Sequence, residues 1–198
     1  MKRLLTLFVL SFFLIFALSA CSPTGHVNIL LFTDKLNDIS GEAVELSDYT
    51  ITDKRYRLLF EEEGFPILLT AEENDKGEIK RVNLSFSKVD EKGKALSPEA
   101  LKPGLYLKRA TQILFAFTLF DEEICAETAE KILPLKSEDF LRTGELTLDY
   151  ENFHLVYYSN KICCRFSVTN TFLEKTEVTE KPVSKPFYEV TANIAREN

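Results

Sequence analysis

The sequence predicts an α+β protein in which two antiparallel β-meanders flank a central helical segment and the helices pack on one sheet face. Three observations carry that prediction. Residues 81–87 alternate strictly, with Val82, Leu84 and Phe86 on one side and Arg81, Asn83, Ser85 and Ser87 on the other, which is the two-residue period of a half-buried strand. Residues 145–150 repeat the pattern with Leu146, Leu148 and Tyr150. Between these blocks, Tyr106, Ala110, Ile113, Leu114 and Phe117 recur at helical spacing. Strands grouped into two runs, rather than alternating singly with helices, favour antiparallel pairing over a parallel α/β sheet.

The elements follow in order. Residues 27–32, Val-Asn-Ile-Leu-Leu-Phe, form a compact apolar run that predicts a first strand. Residues 34–47 are polar and irregular, with Ser40-Gly41 as a turn. Residues 55–60 alternate through Tyr56, Leu58 and Phe60, and Glu63-Gly64 turns the chain into a continuous apolar strand over 65–71. Pro66 is tolerated there because it sits at the strand start. The cluster Glu73-Asn74-Asp75-Lys76-Gly77 is a strong turn before the alternating strand 81–87.

Ser97-Pro98 opens a short helix by N-cap logic, and Pro103-Gly104 cuts it. The main helix is expected over 105–120, where Phe115, Ala116 and Leu119 widen the apolar stripe. Asp121 caps a second helix whose buried face holds Ile124, Cys125, Thr128, Ala129, Ile132 and Leu133, stopping before Pro134. Ser137 caps one last helical turn, closed by Gly144. The second meander runs through 145–150, 153–158 and 162–169, with Ile162, Cys164, Phe166 and Val168 on one face. This places a single α+β body over residues 27–172. Residues 173–198 read as a polar tail in which 187–194 has the composition of an edge strand.

The N-terminus carries the most specific signal. Lys2 and Arg3 precede an apolar stretch broken only by Thr6 and Ser11, and Leu18-Ser19-Ala20-Cys21 closes it. The stretch is about 15 residues, short of the roughly 20 that a helix needs to cross a bilayer core, and fits a signal-peptide apolar region. This arrangement resembles the signal peptide and lipobox of bacterial lipoproteins. The resemblance covers residues 1–21. It implies cleavage before Cys21, lipidation of the Cys21 thiol and acylation of the new amino group, a palmitate-type anchor of more than one chain. The protein would then be held to a membrane through Cys21, outside the cytoplasm, with residues 21–26 as a lipidated tether. It would lie on the outer face of the cell membrane, or in the outer membrane of a host that has one.

Charge narrows the partners. The formal charge is −7, and Lys2 and Arg3 are the only charges of residues 1–20, so the processed chain carries −9. An acidic body with scattered cations lacks the concentrated basic surface that nucleic acid requires. No Gly-rich phosphate loop, Gly-x-Ser-x-Gly elbow or Cys/His zinc spacing is present, so no cofactor is expected. The acidic runs at 61–63, 72–75 and 121–123 lack calcium-loop spacing.

Candidate site residues are few. Export permits disulfides, and facing favours a bond between Cys125 and Cys164, with Cys125–Cys163 as the alternative and three reduced thiols as the plain reading. His26 lies in the tether and His154 in a strand. Tyr157 and Tyr158 are adjacent on a strand, so one must point away from the core, and an exposed tyrosine there offers a binding surface. The functional expectation is a membrane-anchored binding module for a protein or envelope ligand. An envelope hydrolase using an unidentified carboxylate pair, or a structural assembly subunit, are the alternatives.

Overall fold

The computed structural model describes residues 26–176. Residues 1–21, which carry the lipobox resemblance and Cys21, and the 187–194 segment lie outside the described residues. One antiparallel sheet of seven strands organises the described residues: β1 (Thr50–Thr52), β2 (Arg55–Glu62), β3 (Phe65–Glu73), β4 (Ile79–Ser87), β5 (Gly144–Tyr150), β6 (Phe153–Ser159) and β7 (Cys163–Asn170). Their spatial order is β1-β2-β3-β4-β7-β6-β5. The two meanders are therefore halves of one sheet, joined where β4 pairs with β7 in the register Leu84↔Phe166.

Tight turns set the register within each half. Asp53 and Lys54 both have positive φ (47° and 60°), as do Glu63 and Gly64 (52° and 71°). Two-residue hairpins of this hand match strand twist. Between β3 and β4, buried Asn74 directs the turn: its Oδ1 accepts from the Lys76 and Glu78 amides at 2.9 and 3.0 Å.

The helices are α1 (Ile29–Ser40), α2 (Pro103–Thr118), α3 (Glu122–Ile132), α4 (Ser137–Leu141) and α5 (Thr171–Thr176), with 3-10 turns at Leu46–Asp48 and Pro98–Ala100. The α+β class and helices packed against the sheet are as the sequence predicts. The first element is not. Residues expected to form a strand instead open α1: the Asn28 Oδ1 accepts from Leu31 N at 2.9 Å, and Gly41 closes the helix with φ 71°. Ile29, Phe32, Thr33 and Leu36 are its buried face, an i, i+3, i+4, i+7 set. The short apolar run fitted either period, and the flanking caps decide for helix.

The core lies between the helices and one sheet face. A row of paired residues crosses it: Leu58, Leu69, Leu84, Phe166 and Tyr157, all buried. Tyr106 of α2 reaches over the sheet, and its hydroxyl donates to the Leu84 carbonyl at 2.7 Å. Phe65, Phe86, Tyr106, Phe140 and Tyr157 form a chain of ring contacts with centroids 4.9–6.2 Å apart, within the range of favourable edge-on packing. At the C-terminal side, α5 runs past Phe172, where the polar tail was expected to begin. Leu173 is 3% exposed and Glu174 pairs with Arg81.

Candidate functional site

Strand alternation sends every second residue to the sheet face opposite the helices. Three rows cross that face in register. One holds Arg55, Glu72, Arg81, Thr169, His154 and Asp149. The next holds Arg57, Thr70, Asn83, Ser167, Val156 and Thr147, and the third Leu59, Leu68, Ser85, Arg165, Tyr158 and Glu145. Ser85, Ser167 and Thr169 of the middle strands are buried, whereas Leu59 is 48% exposed. The Arg165 guanidinium lies 5.9 Å from the Tyr158 ring centroid, within cation–π reach. Ser167 donates to Asn83 Oδ1 at 2.6 Å. His154 pairs with Asp149 across the β5–β6 hairpin at 2.6 Å. The face is broad and polar, with arginine and one tyrosine at its middle.

The two tyrosines separate. Tyr158 is part-exposed on this face. Tyr157 is not a surface residue: it is 4% exposed, packs against Phe140 and donates to Cys164 Sγ at 3.2 Å. Burial pushes its hydroxyl pKa well up.

The cysteines also part from expectation. Cys125, Cys163 and Cys164 are buried free thiols, and the bond between Cys125 and Cys164 is not formed. The reason is position along the sheet. Cys125 lines a small apolar cavity with Leu155, whose partner is Val168, four positions along β7 from Cys164. Four strand steps cover about 13 Å, and a disulfide needs Cα atoms roughly 4.4–6.8 Å apart. Burial raises the Cys125 pKa to about 11, and it raises Cys163 and Cys164 as well. Such thiols are poor nucleophiles at neutral pH. The cavity itself, bounded also by Leu114, Phe120 and Phe153, has room for about one water molecule.

Two buried cations escaped the sequence reading. Lys88 is 3% exposed, and its Nζ donates to the Phe140 carbonyl at 2.6 Å and to Ser159 Oγ at 2.9 Å. A lysine beside a serine is the makings of a hydrolytic dyad. Here the ammonium is the donor, and Ser159 is 3% exposed with its Oγ given to the Arg142 carbonyl at 2.7 Å. The pair therefore ties α4 to the sheet and offers no path for a substrate. Arg109, 1% exposed on α2, makes a two-pronged contact with Glu42, one prong at 3.0 Å, a bond to Gln112 Oε1 at 3.1 Å and a stack 4.1 Å from the Phe60 centroid. Its place on the stripe between Tyr106 and Ile113 was the available signal, masked by its charge.

Among the described residues, no three His, Cys, Asp or Glu side chains gather as a metal site. No described helix is long and apolar enough to cross a membrane. Comparison with protein-family models, curated proteins and solved structures finds no match to this chain.

Proposed function

We propose that the protein is a lipid-anchored extracytoplasmic binding module, tethered through Cys21, whose open sheet face engages a protein or another component of the cell envelope. The observation that carries the binding half is the asymmetry of the sheet. One face packs against the helices, while the other carries exposed Leu59 and part-exposed Arg57, Leu68, Arg165 and Tyr158, spanning five strands. Tyrosine supplies large contact area with little conformational cost, and arginine and tyrosine are among the residue types that dominate interface energetics. The lipobox resemblance of residues 18–21 supports the anchor. The sealed Lys88–Ser159 pair and the inert thiols weigh against hydrolysis.

The test is in-cell photo-crosslinking with a reactive amino acid in place of Tyr158, against the same substitution at Leu141. A discrete adduct at 158 and none at 141 supports the reading. No adduct, or the same adducts at both, refutes it. For the anchor, Cys21→Ala should leave the precursor uncut and abolish lipid labelling. Unchanged processing and labelling would refute that half.

A further inference from the structure

We infer that the body sits on its own membrane by one end of the sheet, the end carrying the β1–β2, β3–β4 and β5–β6 turns, with Leu30 and Phe172 against the lipid headgroups. The inference rests on the lipid-anchor reading and adds an orientation to it.

The chain enters the fold at that end. His26 Nδ1 contacts Glu78 Oε1, and the Val27 carbonyl accepts from Ile79 N at 2.7 Å. The tether is thus pinned to the first residue of β4. From Cys21 to Val27 the chain makes six steps, at most about 20 Å when fully drawn out. From Ile79 to Ser87, β4 runs eight steps, about 27 Å. An inverted body, standing on the far end of the sheet at Ser87 and its partner Cys163, is therefore excluded while the Cys21 acyl chains are inserted. The near end can reach lipid.

Two exposed apolar side chains at that end, against Leu59 alone among the three rows of the open sheet face, favour standing on the end over lying flat. Leu30 is 60% exposed in the first turn of α1, beside the point of entry, and Phe172 is 56% exposed in the first turn of α5. The backbone places Phe172 at the same end: Thr171 N donates to the Asn152 carbonyl in the β5–β6 turn at 2.8 Å, and Asn170 pairs with Phe153. Cations do not decide the matter. Lys54, Lys76 and Arg81 at this end are interspersed with Asp53, Glu72, Asp75 and Glu78, so no basic patch is formed. Contact through apolar side chains plus a covalent anchor needs none. Standing on this end leaves the open sheet face upright and accessible.

The experiment uses the full lipidated protein in phosphatidylcholine vesicles doped with a nitroxide lipid. Leu30→Cys, Lys76→Cys, Phe172→Cys and, at the far end, Ile162→Cys are each labelled with an environment-sensitive fluorophore at neutral pH. All four positions are solvent-exposed or part-exposed, so folding is preserved. Quenching at 30, 76 and 172 should exceed that at 162 at least twofold. Equal quenching, or more at 162, in protein that floats with the vesicles overturns the orientation alone. Protein that does not float and lacks lipid on Cys21 overturns the anchor, and the orientation with it.

Discussion

Removing Glu42 should destabilise the fold more than removing Arg109, although Arg109 is the buried member of the pair. Glu42 has a side chain 35% exposed, whereas that of Arg109 is 2% exposed. In Arg109→Met the apolar stem still packs over Phe60, and the orphaned carboxylate turns to water. The expected loss is about 1–2 kcal/mol, covering the ion pair and the cation–π contact. In Glu42→Ala the guanidinium stays in place against Gln112 and the Phe60 face but loses the Glu42 carboxylate. Taking one partner from a buried ion pair costs up to roughly 3–5 kcal/mol, and the partial exposure of Glu42 and the remaining contacts of Arg109 bring this to about 2–3 kcal/mol. The double variant should cost no more than Glu42→Ala, because the second substitution removes the buried charge that had lost the Glu42 carboxylate. Urea unfolding followed by far-ultraviolet circular dichroism gives the four free energies, the chain having no Trp to report. Additivity within about 0.5 kcal/mol, or a larger loss in Arg109→Met, would refute the reasoning.

Three further outcomes are expected. Glu63 holds a left-handed φ of 52° and pairs with Lys102 only at the surface, so Glu63→Asn should raise stability by about 0.5–1 kcal/mol; a lower urea midpoint would contradict this. The Cys125 pKa is raised from 9.0 to about 11, so its contribution to stability is full below pH 9 and fades as pH rises through 11. Alkylation of Cys125 at pH 8 should accordingly be slow until urea opens the fold, and rapid labelling of the native protein would refute it. Glu78 titrates below the usual carboxylate range, first because Asn74 Nδ2 donates to it at 2.9 Å and then because of His26. It stabilises the fold above the ordinary glutamate pKa and ceases to do so as pH falls through its own depressed value. Asn74→Ala should move the Glu78 carboxyl resonance titration upward, and an unmoved curve would dismiss the bond.

Periodicity made most of the architecture legible. The alternation of Val82, Leu84 and Phe86 placed those residues inward, and the α2 stripe from Tyr106 to Phe117 is buried as read. What failed was local or long-range. The six-residue run opening α1 is too short for period to decide, and only the weaker cues of Asn28 and Gly41 pointed to helix. The union of the meanders through β4 and β7 is a pairing between distant segments, which no local pattern encodes. Facing showed that one of Tyr157 and Tyr158 must leave the core, and the phase of Phe153 and Leu155 against His154 held the unused cue that it is Tyr158. The burial of Lys88 and Arg109 was hidden in the sequence because a charged side chain is buried only when tertiary structure supplies its partners, and those partners, Phe140, Ser159 and Glu42, lie far along the chain.

The β4–β7 seam also governs how the molecule is made. Each meander can zip from its own tight turns within microseconds, but the two cannot meet until the whole helical segment between them has been gathered in, a slow, entropy-limited closure. During that delay β4 and β7 each present a naked ladder of amides and carbonyls flanked by Leu84, Phe86, Phe166 and Val168. Those are the ingredients of wrong partnerships between neighbouring nascent chains. The middle of the finished sheet, rather than its rims, is thus where biogenesis is most exposed to aggregation.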